Sequence, residues 1–375
     1  MKFYLNAQLF AATRLELEAG VRLAGSDPQR FQAGLQMLKA TAQIADAGGM
    51  EGICFSEQHA NIEGIPEVTT NPILFDAFVA QHTEKLRVGQ LGLTLPAHHP
   101  MRLAEDLAML DHMTAGRMFC GFTRGNAPRW VSTLGRPFGT APTKSDKSEA
   151  DEANMRAMQE AWQIIKMAWN NETFAYSGEF WQVPAEGIHW GYPVTARFGQ
   201  GMREDGYLDE LGIVPRPLQK PMPQVFTPLA YRLTTSKFWI GEGATAVCYS
   251  DDSEFLTMAL RVLNETSDEA GRTRKTKTLA PAAMLLIGKD QVEVDALRDD
   301  YEWLFATAYS VPPFNVPLSR MLIGTPDQVS EQIENLLEIA DFDEMFLWHN
   351  IGIHDRALQE SSLQLFVDKV LPRFS

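Results

Sequence analysis

Three short stretches of this 375-residue chain bring together residue types that do chemistry. The first is Glu57-Gln58-His59, a carboxylate, an amide and an imidazole set directly after the apolar run Gly52 to Ser56. Three polar side chains in sequence at a strand end, where barrels place their active sites, are more than a loop needs. The plain alternative is a polar loop that serves only its own backbone. The second is Gly121-Phe-Thr-Arg124-Gly125, an arginine between glycines at the end of another apolar run. It reads either as a surface ion pair or as an anion anchor, and its position suits a phosphate. The third is Leu91-Gly92, where a glycine inside a strand-like run marks the close approach of another group.

Other candidates carry less. His98-His99 stands before Pro100 with no third metal ligand nearby, so His99 reads as a helix-start residue. Trp348-His349 ends the last strand-like run, and substrate contact and core packing explain it equally. Gly241-Glu-Gly-Ala-Thr-Ala246 spells a dinucleotide-type glycine pattern. It follows a helix and precedes a strand, however, the reverse of the dinucleotide-binding order, and reads as a helix end. HExxH, Walker and GxSxG patterns are absent. Cys54, Cys120 and Cys248 lie far apart and read as buried free thiols in a reduced, cytoplasmic setting.

These stretches need elements to position them, and the pattern is strand then helix throughout. Strands are expected at Lys2 to Leu5, Gly52 to Ser56, Leu86 to Leu95, Met118 to Phe122, Gln224 to Thr227, Ala244 to Cys248, Ala282 to Gly288 and Met345 to Trp348. Helices lie between them, among them Phe31 to Ala47, Ile73 to Thr83 behind Asn71-Pro72, Ala150 to Trp169, and one opened by Thr325-Pro-Asp-Gln328. Alternation of this kind calls for parallel strands with crossover helices, and eight strands favour a closed (β/α)8 TIM barrel. The chain reads as a single barrel domain, 1–375. Two stretches, 125–149 and 187–219, read as loop insertions over the C-terminal face, where barrels keep their sites.

Composition sets outer limits. Hydrophobic residues make up 45%, with 21 Phe and 8 Trp, enough for a large core. The formal net charge of −15 opposes nucleic acid and anionic membrane surfaces as partners. No run is long and apolar enough to span a membrane, and the N-terminal residues read as a strand, not a secretion signal.

An ordered series then carries a resemblance. Asn71-Pro72, Arg87-Val-Gly89, Leu95-Pro-Ala-His-His99-Pro-Met-Arg102, Glu105-Asp106, Leu110-Asp-His-Met-Thr-Ala-Gly-Arg117, Gly121-Phe-Thr-Arg124-Gly125 and Ile323-Gly-Thr-Pro-Asp-Gln-Val329 together resemble the bacterial luciferase-like, flavin-dependent monooxygenases. The resemblance implies a barrel that takes reduced flavin mononucleotide (FMN) from a separate flavin reductase. Oxygen adds at the flavin C4a carbon, and the C4a-peroxyflavin oxygenates a small apolar organic substrate such as a ketone or aldehyde. It implies Glu57, Gln58 and His59 as the acid–histidine motif, with Gln58 where luciferase has its catalytic histidine. His59 is then the proton-transfer candidate, and light emission is not expected. It further implies a non-proline cis peptide at Leu91-Gly92 beneath the flavin. Arg124 is implied as phosphate ligand, and Tyr231, Arg232 and Thr235 as a second phosphate segment. A homodimer or heterodimer is implied as well. Deazaflavin (F420)-dependent hydride transfer, and a non-catalytic flavin-binding or partner subunit, are the alternatives on the same fold.

Overall fold

Apolar runs without polar alternation require cover on both faces, which a parallel sheet beneath helices supplies. In the computed structural model, which describes residues 1–229, 233–250, 252–272, 277–316, 318, 321–340, 342–349 and 351–374, those runs form one sheet. Its strands are β1 (Lys2–Ala7), β2 (Gly52–Phe55), β3 (Arg87–Gln90), β4 (Met118–Thr123), β5 (Val225–Leu229), β6 (Thr245–Cys248), β7 (Leu279–Ile287) and β8 (Glu344–His349). They pair in chain order and close through β7 and β8 back to β1, so the eight-stranded parallel barrel is as expected.

The chain divides into two compact units. The barrel unit comprises Met1–Leu93, Phe119–Phe122 and Gln224–Ser375, and the second unit comprises Thr94–Met118 and Thr123–Pro223.

Inside the barrel unit the floor is filled. Tyr4 stacks on Phe346 with ring centroids 4.7 Å apart, and Phe226 meets Phe346 edge-on at 5.0 Å. Beside them the Tyr4 hydroxyl donates to Glu344 at 2.9 Å, and Arg87 donates to Tyr4 and to Gln224 at 3.0 and 2.8 Å. Burial pushes the Glu344 carboxyl above its usual range. Register places Asn6 between Cys54 of β2 and Trp348 of β8, on the way from this floor to the strand C-terminal ends.

Most expected elements stand within a few residues of their limits. The helix opened by Thr325 has its full capping box with Gln328 and spans Pro326–Ile339. Some differences have physical reasons. Strand β7 begins at Leu279, ahead of Pro281. That proline lacks a donor, and after it the pairing on that edge passes from β6 to the short strand Met321–Gly324. The expected strand Leu86 to Leu95 is broken after Gln90 by the cis peptide Leu91-Gly92.

In the second unit, helices Pro100–Met113 and Glu149–Asn170 pack together, with Trp169 Nε1 donating to the Ala104 carbonyl at 3.0 Å. The stretch 125–149 is not the irregular loop its composition suggests. It contains helix Pro128–Leu134, whose Trp130 and Val131 are buried, and a 3-10 turn at Arg136–Phe138. The Thr140 hydroxyl donates to the Pro96 carbonyl, and the Thr143 amide to that of Gly125. The stretch 187–219 is mostly irregular, as expected, around helix Pro193–Phe198.

Candidate active site

The end of β2 carries the acid–histidine motif. Glu57 Oε1 lies 3.0 Å from His59 Nε2; the carboxylate side chain is 2% exposed and the imidazole 27%. A buried carboxylate thus orients an imidazole that solvent reaches. With Nε2–H donating to Glu57, the basic nitrogen of the neutral ring is Nδ1. The loop is pinned by two bonds, Gln58 N–H to Thr69 O at 3.1 Å and the Thr69 hydroxyl to Ser56 O at 2.7 Å. The Gln58 side-chain oxygen is buried and has no hydrogen-bond partner among the described residues.

A second group at the C-terminal ends of the strands was not legible in the sequence. Ser56, directly after β2, donates its hydroxyl to Glu67 Oε2, and Tyr309 donates to Glu67 Oε1 at 3.1 Å. Glu67 is buried, and burial raises its carboxyl pKa although these donors pull it back. Burial, and then Glu67, push the Tyr309 phenol well up. Tyr309 packs edge-on against Trp348 at 5.8 Å, Trp348 against Tyr249 at 5.8 Å, and Asn6 Nδ2 donates to the Tyr249 hydroxyl at 3.0 Å. The available signal was the position of polar Asn6, Gln8 and Ser56 at strand ends. Nothing local marks Glu67 or Tyr309. Trp348 thus belongs to this aromatic group at the strand ends. His349 is buried, with neither ring nitrogen hydrogen-bonded among the described residues.

The bond Leu91-Gly92 is cis, as expected. The room left by Gly92 is not open, however: an added Cβ would stand 2.9 Å from the Gly121 and Phe122 backbone of β4. The missing side chain admits a neighbouring strand. Thr235 sits in the first turn of helix Leu233–Gly241, half-buried, and its hydroxyl has no partner among the described residues. Tyr231 and Arg232 lie outside the described residues. Arg124, in the second unit, is held in a largely buried ion pair with Asp151 at 2.8 Å.

These features define a class, a parallel (β/α)8 barrel with acid–base side chains gathered at strand C-terminal ends. Residues 16–197 match the model of the luciferase-like monooxygenases, so that stretch of the chain is similar to this family. Among curated relatives, the oxygenase component of a flavin-dependent trigonelline monooxygenase from Acinetobacter baylyi is 33% identical over 147 residues, 38% of this chain. The alignment spans only 35% of that relative's length. Among solved structures, the oxygenating constituent of 3,6-diketocamphane monooxygenase of Pseudomonas putida, in complex with FMN, has a TM-score of 0.69 at 19% identity and covers 91% of this chain and 93% of its own. An F420-dependent secondary alcohol dehydrogenase with an F420-acetone adduct has a TM-score of 0.66 at 14% identity over 99% of both chains. At such identities these two structures establish the fold alone.

Proposed function

We propose that this protein is the oxygenase component of a two-component flavin-dependent monooxygenase. It takes reduced FMN from a separate flavin reductase, and O2, and oxygenates a small apolar organic substrate such as a ketone or aldehyde. The observation that carries this reading is the Glu57–His59 pair at the end of β2, in a chain whose residues 16–197 match the luciferase-like monooxygenases. The side chains fit the cofactor's chemistry. The buried Gln58 oxygen is an acceptor suited to a ring N–H, and the Thr235 hydroxyl in a helix's first turn suits a phosphate. When bound, reduced FMN supplies two electrons and the carbon at which oxygen is activated. Glu57 holds His59 with Nδ1 as its basic atom, and His59 takes up or returns one proton there during oxygen transfer. The stretches 125–149 and 187–219 are assigned as insertions that keep water from the reaction. A cytoplasmic location and a dimer belong to the same proposal.

The decisive experiment titrates the protein without oxygen with reduced FMN and, in parallel, with reduced F420. Oxygen and a panel of ketones and aldehydes are then admitted. Tight FMN binding and substrate-dependent oxygenated product support the proposal; binding of F420 alone, with hydride transfer, overturns it. His59→Ala is expected to lower the rate of product formation by roughly 100-fold, the usual scale of one general acid–base group. Its melting temperature should stay near the parent's, because the ring is partly exposed. Unchanged turnover across the accepted substrates would remove His59 from proton transfer.

A further inference from the structure

Arg124 is held far more tightly than a strand-end cation needs to be. Its Nε donates to Asn154 Oδ1 at 2.8 Å, and its Nη2 donates to Asp151 Oδ1 at 2.8 Å and to the Asp151 carbonyl. Asn154 also reaches back to the main chain. Its Nδ2 donates to the Arg124 carbonyl at 3.0 Å and to that of Ala141 at 2.7 Å. One amide that is 1% exposed therefore fixes both the side chain and the backbone of the arginine. Asp151 and Asn154 stand three residues apart on helix Glu149–Asn170 and so share a face.

The other bonds of Asp151 extend the hold. Its carboxylate accepts from the Thr143 hydroxyl at 2.5 Å, from Ser145 N–H at 3.0 Å and from Lys147 N–H at 3.1 Å. These bonds hold its carboxyl below the usual range although burial opposes them. Two of the three guanidinium nitrogens are committed in this way. Nη1 has no hydrogen-bond partner among the described residues. The planar fork that usually grips a phosphate on two points is spent on the protein itself.

We infer that Asn154 and Asp151 are positioning residues for Arg124, fixing the guanidinium so that Nη1 alone is presented, end-on, to a phosphate monoester. The inference rests on the proposed FMN-dependent function and on Arg124 as the residue that meets the phosphate. Recognition of this kind depends on aim. A freely rotating cation of the same charge loses rotamer entropy on binding, whereas the held guanidinium does not. The charge of Asp151 beside it keeps the pair near neutral, so the phosphate gains through one charge-assisted hydrogen bond and not through a cluster of cations.

The readout is the ratio of affinities for reduced FMN and reduced riboflavin, which differ by the phosphate, measured without oxygen. Arg124→Ala is expected to lower the ratio at least tenfold, leaving only what Thr235 contributes. Asn154→Ala, which keeps the arginine and its Asp151 bonds but removes the acceptor that fixes Nε, should lower the ratio about tenfold, the scale of one charge-assisted hydrogen bond, with riboflavin affinity unchanged. Arg124→Lys, which keeps the charge but cannot be held by both acceptors, should lower it by a similar factor. It decides the matter if Asn154→Ala does not fold. Should Arg124→Ala lower the ratio while Arg124→Lys and Asn154→Ala retain it, charge suffices and the positioning role is overturned. Equal weakening of both flavins in Asn154→Ala also overturns it, since that marks general structural loss. An unchanged ratio in Arg124→Ala would instead remove Arg124 from the phosphate, and the assumption beneath the inference with it.

Discussion

Gly92→Val is expected to melt at least roughly 5 °C below the parent, or to be recovered only as insoluble protein. The cause lies between strands. A Cβ at position 92 would stand 2.9 Å from the carbonyl carbon and oxygen of Gly121 and from the nitrogen of Phe122. Those atoms belong to the backbone of β4, which is paired in the closed barrel and has no side chain to swing aside. The reverse contact is tighter: a Cβ at Gly121 would fall 2.0 Å from the Gln90 carbonyl oxygen. Overpacking a well-ordered interior costs about 1–3 kcal/mol and more when backbone must move, so valine should sit at the upper end. Gly241 supplies the control, because nothing lies within 4 Å of its added Cβ, and Gly241→Ala should melt near the parent. Thermal melts of the three proteins decide. A Gly92→Val protein with the parent's melting temperature would mean that β3 and β4 are not packed as described.

The second large effect is acid lability centred on His349. The imidazole is 1% exposed, and neither Nδ1 nor Nε2 is hydrogen-bonded among the described residues. Burial, and second the neighbouring His354, push its pKa from 6.5 down to about 3. A His with a lowered folded pKa is neutral in the fold while the unfolded chain takes up a proton below pH 6.5. The unfolded state then binds more protons, and stability falls as pH drops from about 6.5 towards 3. At the bottom of that window the loss from this residue is about 4 kcal/mol. Around it, His354 stands 3.4 Å from Asp300, too poorly aligned for a hydrogen bond, and Asp300 lies 3.1 Å from Arg14. Although burial pushes the other way, His354 and Arg14 hold the Asp300 carboxyl below its usual range, so it remains a countercharge over most of this window.

Carboxyls with raised pKa values act in the opposite sense. Glu67 and Asp76, both raised first by burial, bind protons more readily folded than unfolded and gain stability on acidification. The raw profile of the protein is therefore a sum, and the informative quantity is a difference. His349→Leu should equal or exceed the parent at pH 7, because it removes two buried polar atoms without partners. Its advantage should grow as the pH falls from 6.5. Urea unfolding of both proteins at several pH values measures this, and a constant difference would show that the ring is not buried neutral.

The fold was readable because its signals are local. Glycine-bounded apolar runs, proline at helix starts and the Thr325–Gln328 capping box each report their own few residues, and their alternation then calls for a barrel. The misses follow the same logic. Helix Pro128–Leu134 is seven residues long and lies among glycines and prolines, so composition hid it. Glu57 and His59 could be paired on paper because they are two residues apart. Glu67 and Tyr309 are separated by 242 residues and meet only once β2 and the segment after β7 are brought together. Arg124 was legible as an unusual cation, but its partners Asp151 and Asn154 lie a helix away, inside the helical run Ala150 to Trp169, where nothing in the pattern singles them out. Proximity in sequence reveals pairs, and only the closed sheet reveals networks.

The rings of Tyr4, Phe119, Phe226 and Phe346 fill the end of the barrel unit where the strands begin. The Glu344–Tyr4–Arg87 bonds tie this packed end together across three strands. Changes made there are expected to act on the lifetime of the fold.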